Sequence, residues 1–150
     1  MPIPFSAAQK ADVRTQFAAL CFRIVKDKPQ ILLITSRGSK RWIIPKGWPM
    51  EGRTPGQCAM REAYEEAGVI GKSADQPIGL FPYLKLMDDE SELPCVALVY
   101  PVRVRILRAE YPEAGERKRK WFSLKKAANK VDEPELAQLI RNFEPKLLRL

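Results

Sequence analysis

The sequence predicts an α+β fold, an α/β/α sandwich in which a mixed β-sheet lies between helices. Short apolar segments bounded by turn residues recur along the chain and read as strands. Two other segments, Pro55 to Ala67 and Glu133 to Phe143, carry a helical period instead. Strands interleaved with helices in this way need cover on both faces of one sheet. At 150 residues the chain is long enough for one domain and short for two. Residues 1–150 are therefore expected to form a single domain, with an N-terminal extension over residues 1–16.

Phe17 to Val25 and Gln30 to Thr35 read as two strands, with turn chemistry supplied by Lys26-Asp27-Lys28-Pro29. Arg41 to Pro45 reads as a short strand stopped by proline. The helix that follows has both ends signalled. Thr54 is its expected N-cap, Pro55 takes the first helical position, and Gln57 completes a capping box. Gly68 supplies a left-handed stop. Ile78 to Leu84 and Cys95 to Leu107 read as strands separated by the acidic loop 88–92, which reads as solvated, and Lys118 to Phe122 makes one more. The last helix places Leu136, Leu139, Ile140 and Phe143 at amphipathic spacing, with Asp132 as its expected N-cap.

Composition narrows the chemistry. The chain has no histidine, which removes histidine general bases, histidine metal ligands and Ser-His or Cys-His nucleophile pairs. Cys21, Cys58 and Cys95 are odd in number and contain no Cys-x-x-Cys pair, which argues against a disulfide framework and fits a reducing cytoplasm. Residues 1–16 hold no long apolar run that would act as a signal peptide. No apolar stretch approaches the roughly 20 residues a bilayer needs, so no membrane association is expected. The net charge of +8 suggests a polyanionic partner. Between Pro101 and Lys130 lie 10 Lys or Arg against 3 acids, a density that also suits an ordinary solvated basic face.

On the helix from Pro55 to Ala67, Ala59, Ala63 and Ala67 recur every fourth residue and should pack on the sheet. Glu62, Glu65 and Glu66 stand at i, i+3 and i+4, grouped on roughly the opposite side. Three such charges repel one another, and the helix dipole disfavours anions in this C-terminal half. A solvated acidic face is one account of them. A hard divalent cation held by carboxylate oxygens is the other.

The surrounding residues decide between these accounts. Gly47-Trp-Pro-Met-Glu-Gly-Arg-Thr-Pro-Gly-Gln-Cys-Ala-Met-Arg-Glu-Ala-Tyr-Glu-Glu-Ala-Gly-Val69 resembles the Nudix box. Every fixed position of that pattern is matched except its first Glu, which is Arg53 here. Outside the box, Ile31 to Arg37, Arg41 to Pro45 and Arg117 to Ser123 are similar to the diphosphoinositol polyphosphate phosphohydrolase branch.

The resemblance implies a Nudix fold, with residues 47–69 forming a loop and helix that hold Mg²⁺ or Mn²⁺. It implies Glu62 and Glu66 as metal ligands, Glu65 as a further ligand or the base, and the backbone at Lys46 or Gly47 against the metal. Arg61 would orient the carboxylates by ion pairing, and Arg53 marks a departure in their support. Arg37, Arg41, Gly47 and Lys118 are the expected substrate contacts. Two basic clusters, Arg37 to Lys46 and Arg117 to Lys120, would reach two ends of a highly phosphorylated small molecule.

The expected activity is metal-dependent hydrolysis of a phosphoanhydride in a diphosphoinositol polyphosphate or a dinucleoside polyphosphate. Three other readings stand beside it: a pyrophosphohydrolase acting on RNA 5′ ends, a hydrolase of ADP-ribose-type nucleoside diphosphates, and a non-catalytic phosphate-ligand sensor. Glu116 is a further candidate base.

Overall fold

The computed structural model describes residues 13–150. Most of the extension expected at the N-terminus, residues 1–12, lies outside the described residues. Arg14 to Gln16 do not belong to an extension, because β1 runs from Arg14 to Val25. It turns back into β2 (Lys28–Thr35) through Lys26 and Asp27, both at positive φ, so the turn is two residues long and Lys28 and Pro29 belong to the strand. β3 (Trp42–Ile43) and β4 (Lys46–Gly47) are short and flank Pro45.

Helix α1 spans Pro55–Ala67 with the expected capping box at Thr54 and Gln57 and a left-handed Gly68. β5 (Val69–Ser73), which the sequence reading did not anticipate, follows at once. β6 (Gly79–Leu86) and β7 (Glu92–Leu107) form a hairpin, and β8 (Arg119–Ser123) leads into α2 (Leu124–Lys130). That helix was also missed. At seven residues it is too short to show a period, although Ser123 caps it with its hydroxyl. α3 spans Pro134–Arg141 and is capped at Glu133, not Asp132, which turns away to pair with Arg41.

The sheet runs β3-β2-β1-β7-β5, with β8 also on β2, β4 on β1 and β6 on β7. It is mixed, because β1 and β7 are parallel while the other pairs are antiparallel. Alternation along β1 divides the core. Ala18, Leu20 and Phe22 face α2 and α3, where they meet Ala127, Leu136 and Ile140. Ala19 and Cys21 face α1, where they meet Ala59, Ala63 and Ala67, all fully buried. The small alanines let α1 lie close on the sheet, which fixes how deep its glutamates sit. Helices on both faces confirm the α+β sandwich.

Candidate active site

Side chains on α1 that the spacing grouped as one acidic face are separated by the fold. Glu66 is only 7 % exposed, so it belongs to the helix–sheet seam and not to a solvated face. Glu62 points at β4, where its carboxyl occupies the space a Cβ at Gly47 would take. That close approach explains the glycine. Glu66 stands one helical turn beyond Glu62, close enough for the Glu62 charge to act on it. Glu65 turns outward and is held by Arg61, Nε to Oε2 at 2.9 Å.

Burial is the main force on the inner pair. It pushes the Glu66 carboxyl up to about 8, against the pull of Arg117 and with Glu62 adding to the rise. Burial raises Glu62 as well. Lys46 is pushed the other way, down to about 8, because burial penalises its ammonium more than Glu66 and Glu133 favour it. Its Nζ lies 4.8 Å from the centre of the Tyr83 ring, whose hydroxyl is bonded to Gln16.

Two residues that brace the carboxylate helix were not singled out as site members from the sequence. Arg117 is almost fully buried and fastens three elements together. Its Nε donates to Glu113 Oε1 at 2.9 Å, its Nη1 donates to the Thr35 carbonyl at 3.2 Å, and its Nη2 stands 4.0 Å from Glu66 Oε1. Glu113 is placed by its own backbone N–H, which donates to the carbonyl of Glu65 at 3.0 Å. The pair is spaced i, i+4 across Gly115, a signal the sequence did carry. Arg119 caps the far end of α1 by donating from Nη1 to the Ala67 carbonyl at 2.7 Å, where the helix dipole favours a cation.

The two basic clusters meet only at Arg37 and Lys118, since β2 ends against the segment before β8. Thr35 N–H donates to the Lys118 carbonyl and the Lys118 N–H donates to Thr35 Oγ1. Arg37, just beyond, pairs with Glu116 at 3.1 Å, which raises its own pKa and occupies that candidate base. The Lys118 side chain is exposed beside them. Arg41 stands apart, paired with Asp132 at 3.2 Å and Glu133 at 3.5 Å. Arg53 does not join the inner carboxylates. It lines a cleft with Gln57, Met60, Arg61 and Tyr64, residues a helical turn places on the side of α1 away from Glu62 and Glu66.

A family model for the Nudix domain matches residues 14–143. The chain belongs to the Nudix family. Among curated relatives it is similar to diphosphoinositol polyphosphate phosphohydrolase 3-beta from Homo sapiens, with 34 % identity over 112 residues, 73 % of this chain and 64 % of that protein. It is also similar to diphosphoinositol polyphosphate phosphohydrolase 2 from Mus musculus, at 32 % over 73 % of this chain and 58 % of that one. The chain thus spans less than two thirds of the length of these relatives. Among solved structures, a C. elegans Ap4A hydrolase shares the fold with TM-score 0.62 and 20 % identity, covering 90 % of this chain and 98 % of that one. So does the Nudix domain of Shewanella oneidensis NrtR, complexed with ADP ribose, at TM-score 0.59 and 16 % identity over 94 % and 91 %.

Nudix hydrolases use divalent metal ions, so the donors here can be tested for fit. Among the described residues no three His, Cys, Asp or Glu side chains converge as a ready-made cage. The donor chemistry still suits a hard cation. A half-buried carboxyl against the chain at Gly47 and a buried one stand a helical turn apart, and a divalent charge would relieve their repulsion.

Proposed function

We propose that this Nudix domain, spanning the whole chain, is a metal-dependent hydrolase of a phosphoanhydride bond in a highly phosphorylated small molecule. The observation that carries this reading is the pair of carboxyls a helical turn apart, Glu62 against Gly47 and Glu66 buried beside Arg117. A structural role would not favour two mutually repelling acids at a buried seam. In this reading they would hold Mg²⁺ or Mn²⁺, which would supply charge neutralisation for phosphoryl oxygens and a more acidic water. Arg117 keeps Glu66 in place from one side, and Gly47 leaves room for Glu62 on the other.

Glu65 is the proposed proton acceptor. Its ion pair with Arg61 fixes the carboxylate on the same turn as the ligands, and the Glu113 backbone bond anchors that turn. Arg37 and Lys118 meet substrate phosphate beside Thr35. The substrates named for the relatives make diphosphoinositol polyphosphates and dinucleoside polyphosphates the first candidates. We place the activity in the cytoplasm, on the three free, buried cysteines.

A non-catalytic phosphate sensor is the second reading, favoured by the absence of a ready cage among the described residues and by Arg53 in the box. One experiment separates the two. Phosphate release is measured with Mg²⁺ over polyphosphorylated substrates for the wild type and Glu66→Gln. Turnover that the substitution abolishes supports the hydrolase, and phosphate-ligand binding without turnover supports the sensor.

A further inference from the structure

Exposed apolar side chains are not spread evenly over this protein. Of the nine large ones among the described residues, Val13, Leu80, Leu84 and Leu86 gather on one face of the sheet, at 46, 50, 56 and 70 % exposure. Strand register sets them in rows. Leu80 stands beside Leu98 and Leu98 beside Phe17, and the next row is Pro82, Val96 and Thr15. Leu84 and Pro94 follow, with Val13 one residue ahead of the Arg14–Cys95 pair, and Leu86 beside Glu92 comes last. Leu98 and Phe17 pack on the α1 core, so the rows lie on the α1 side of the sheet. The helix shields only that first row, since Thr15, Pro82 and Pro94 are exposed and Val96 is half-buried.

Charge is nearly absent from these rows. Glu92 at the far end is their one ionised group, and alternation sends Arg14 and Lys85 to the opposite face. A continuous apolar face of this kind marks a contact surface. The way on to it is also restricted. β6 is an edge strand bonded to β7, but Pro82 at its middle lacks a donor and Lys85 adds charge, which blunts strand addition. A partner therefore comes over the face and not along the edge.

A second copy of the chain fits that approach. With a net charge of +8, two copies repel over most of their surface, and these rows let them meet without opposing any basic group. A flat apolar sheet face is complementary to itself under a two-fold axis, and sheets stack about 10 Å apart through such faces. An axis running across the strands sets the two Glu92 at opposite ends and brings Leu84 of each copy onto Leu80 of the other. Three strands and four rows span roughly 14 by 24 Å. That extent puts the contact near the small end of specific interfaces, about 1,200 Å² in total.

We infer that the face formed by β6, the first half of β7 and the start of β1 is a homodimer interface, in which two copies stack sheet on sheet.

Sedimentation velocity on the full chain tests this. The wild type should run as a monomer near 1 µM and mostly as a dimer by about 200 µM, with a dissociation constant on the order of 10 µM. Leu84→Glu buries a carboxylate in the contact and should weaken association about a hundredfold or more, while Leu84→Ile keeps it. Ile106→Glu changes an exposed apolar residue outside the rows and should leave the dimer as it was. Raising NaCl to about 0.5 M should hold or tighten the dimer, because screening weakens repulsion between the copies and leaves apolar contact intact. Circular dichroism melts show whether each variant is folded before it is compared.

A wild type that stays monomeric at the highest concentration overturns the inference. Equal weakening by Leu84→Glu and Ile106→Glu does so too, since it marks general stickiness. Dissociation by salt would show an ionic contact elsewhere on the surface and overturn it as well.

Discussion

The two sides of α1 carry the same kinds of charged residue in opposite circumstances. On the inner side, Glu62 and Glu66 are pressed between Gly47 and Arg117, and burial raises both carboxyls. On the outer side, Glu65 meets Arg61 in a half-exposed i, i+4 pair, and Arg61 and Arg53 share an open cleft. Pairs of the outer kind are worth little, typically about 0.3–0.5 kcal/mol, and their loss is easily tolerated. The inner kind is held at a cost, which a cation bound there would offset. One helix thus separates a chemical face from a supporting face within a single turn, with Glu65, the proposed base, at the border between them.

The largest effect expected concerns the inner face. Chelation followed by dialysis should abolish turnover, and Mg²⁺ or Mn²⁺ should restore it. Glu66→Gln should lose about 10³-fold or more in kcat, by analogy with removing one preorganised electrostatic group. Because Glu66 is buried and disfavoured by burial, the amide should not lower the melting temperature of the metal-free protein. Undiminished activity after chelation, or a collapse of folding in Glu66→Gln, would reverse the assignment of the inner face.

A smaller effect is expected at Gly47. Its φ is in the range open to any residue, and an added Cβ would stand 2.6 Å from Glu62 Oε1. The obstacle is the end of a flexible side chain, so Gly47→Ala should fold nearly as well as the wild type. The displaced carboxyl should cost about 10²-fold in kcat, the scale of a 1 Å misplacement. A severe loss of stability with normal turnover in the folded fraction would show that Gly47 serves packing.

The metal-free protein should also report the inner face through pH. Glu66 has its carboxyl raised from 4.5 to about 8, so in that window the folded state binds more protons than the unfolded state. Its contribution is present below pH 4.5 and is lost as pH rises toward 8. Lys46, lowered from 10.5 to about 8, works above that point, where the unfolded state binds more protons and stability recovers with pH. Denaturant midpoints in chelator should pass through a minimum near pH 8, with slopes of at most about 1.4 kcal/mol per pH unit. Glu66→Gln should flatten the acid limb and start the alkaline limb at lower pH, because Lys46 loses a carboxylate that favours its ammonium. A profile unchanged by that substitution would mean that Glu66 is ionised in the folded, metal-free protein.

Much of this was legible beforehand because it is local. Thr54, Gln57 and Gly68 specify α1 with no help from the rest of the chain, and the alanine row orients it. What the sequence concealed depends on long-range pairing. Glu66 could not be told from Glu65 by spacing, since the width of the buried stripe is set by how closely β1 approaches. Arg117 sits among basic neighbours in the chain, and only the pairing of β8 with β2 turns it inward while Lys118 stays out. Asp132 is a good N-cap by type, and it was drawn away by Arg41 from the loop before β3, about ninety residues earlier, an ion pair at 3.2 Å. β5 went unseen because Val69-Ile-Gly-Lys-Ser73 is short and bulged at Gly71, where a side chain would strike Arg103.

The smallest effect expected is at Arg53, the one fixed position at which the box departs from its family. Arg53 lies on the outer face in the same cleft as Arg61, the partner of Glu65, and through that pair it would bear on the proposed metal donors. Arg53→Glu replaces a like-charged neighbour of Arg61 with an opposite one, which reduces positive charge around the site and steadies that guanidinium. The metal concentration for half-maximal activity should then fall by no more than about tenfold, as for groups that support a ligand without touching the ion. KM should stay put, because Arg37 and Lys118 lie at the other side of the helix. Metal and substrate titrations on the one variant check both statements. A rise in KM with an unchanged metal requirement would place substrate phosphate in the outer cleft, and the division of α1 into a chemical and a supporting face would fail. If neither curve moves, Arg53 is a solvated cleft residue, and the coupling from the outer face to the metal donors through Arg61 and Glu65 carries no measurable energy.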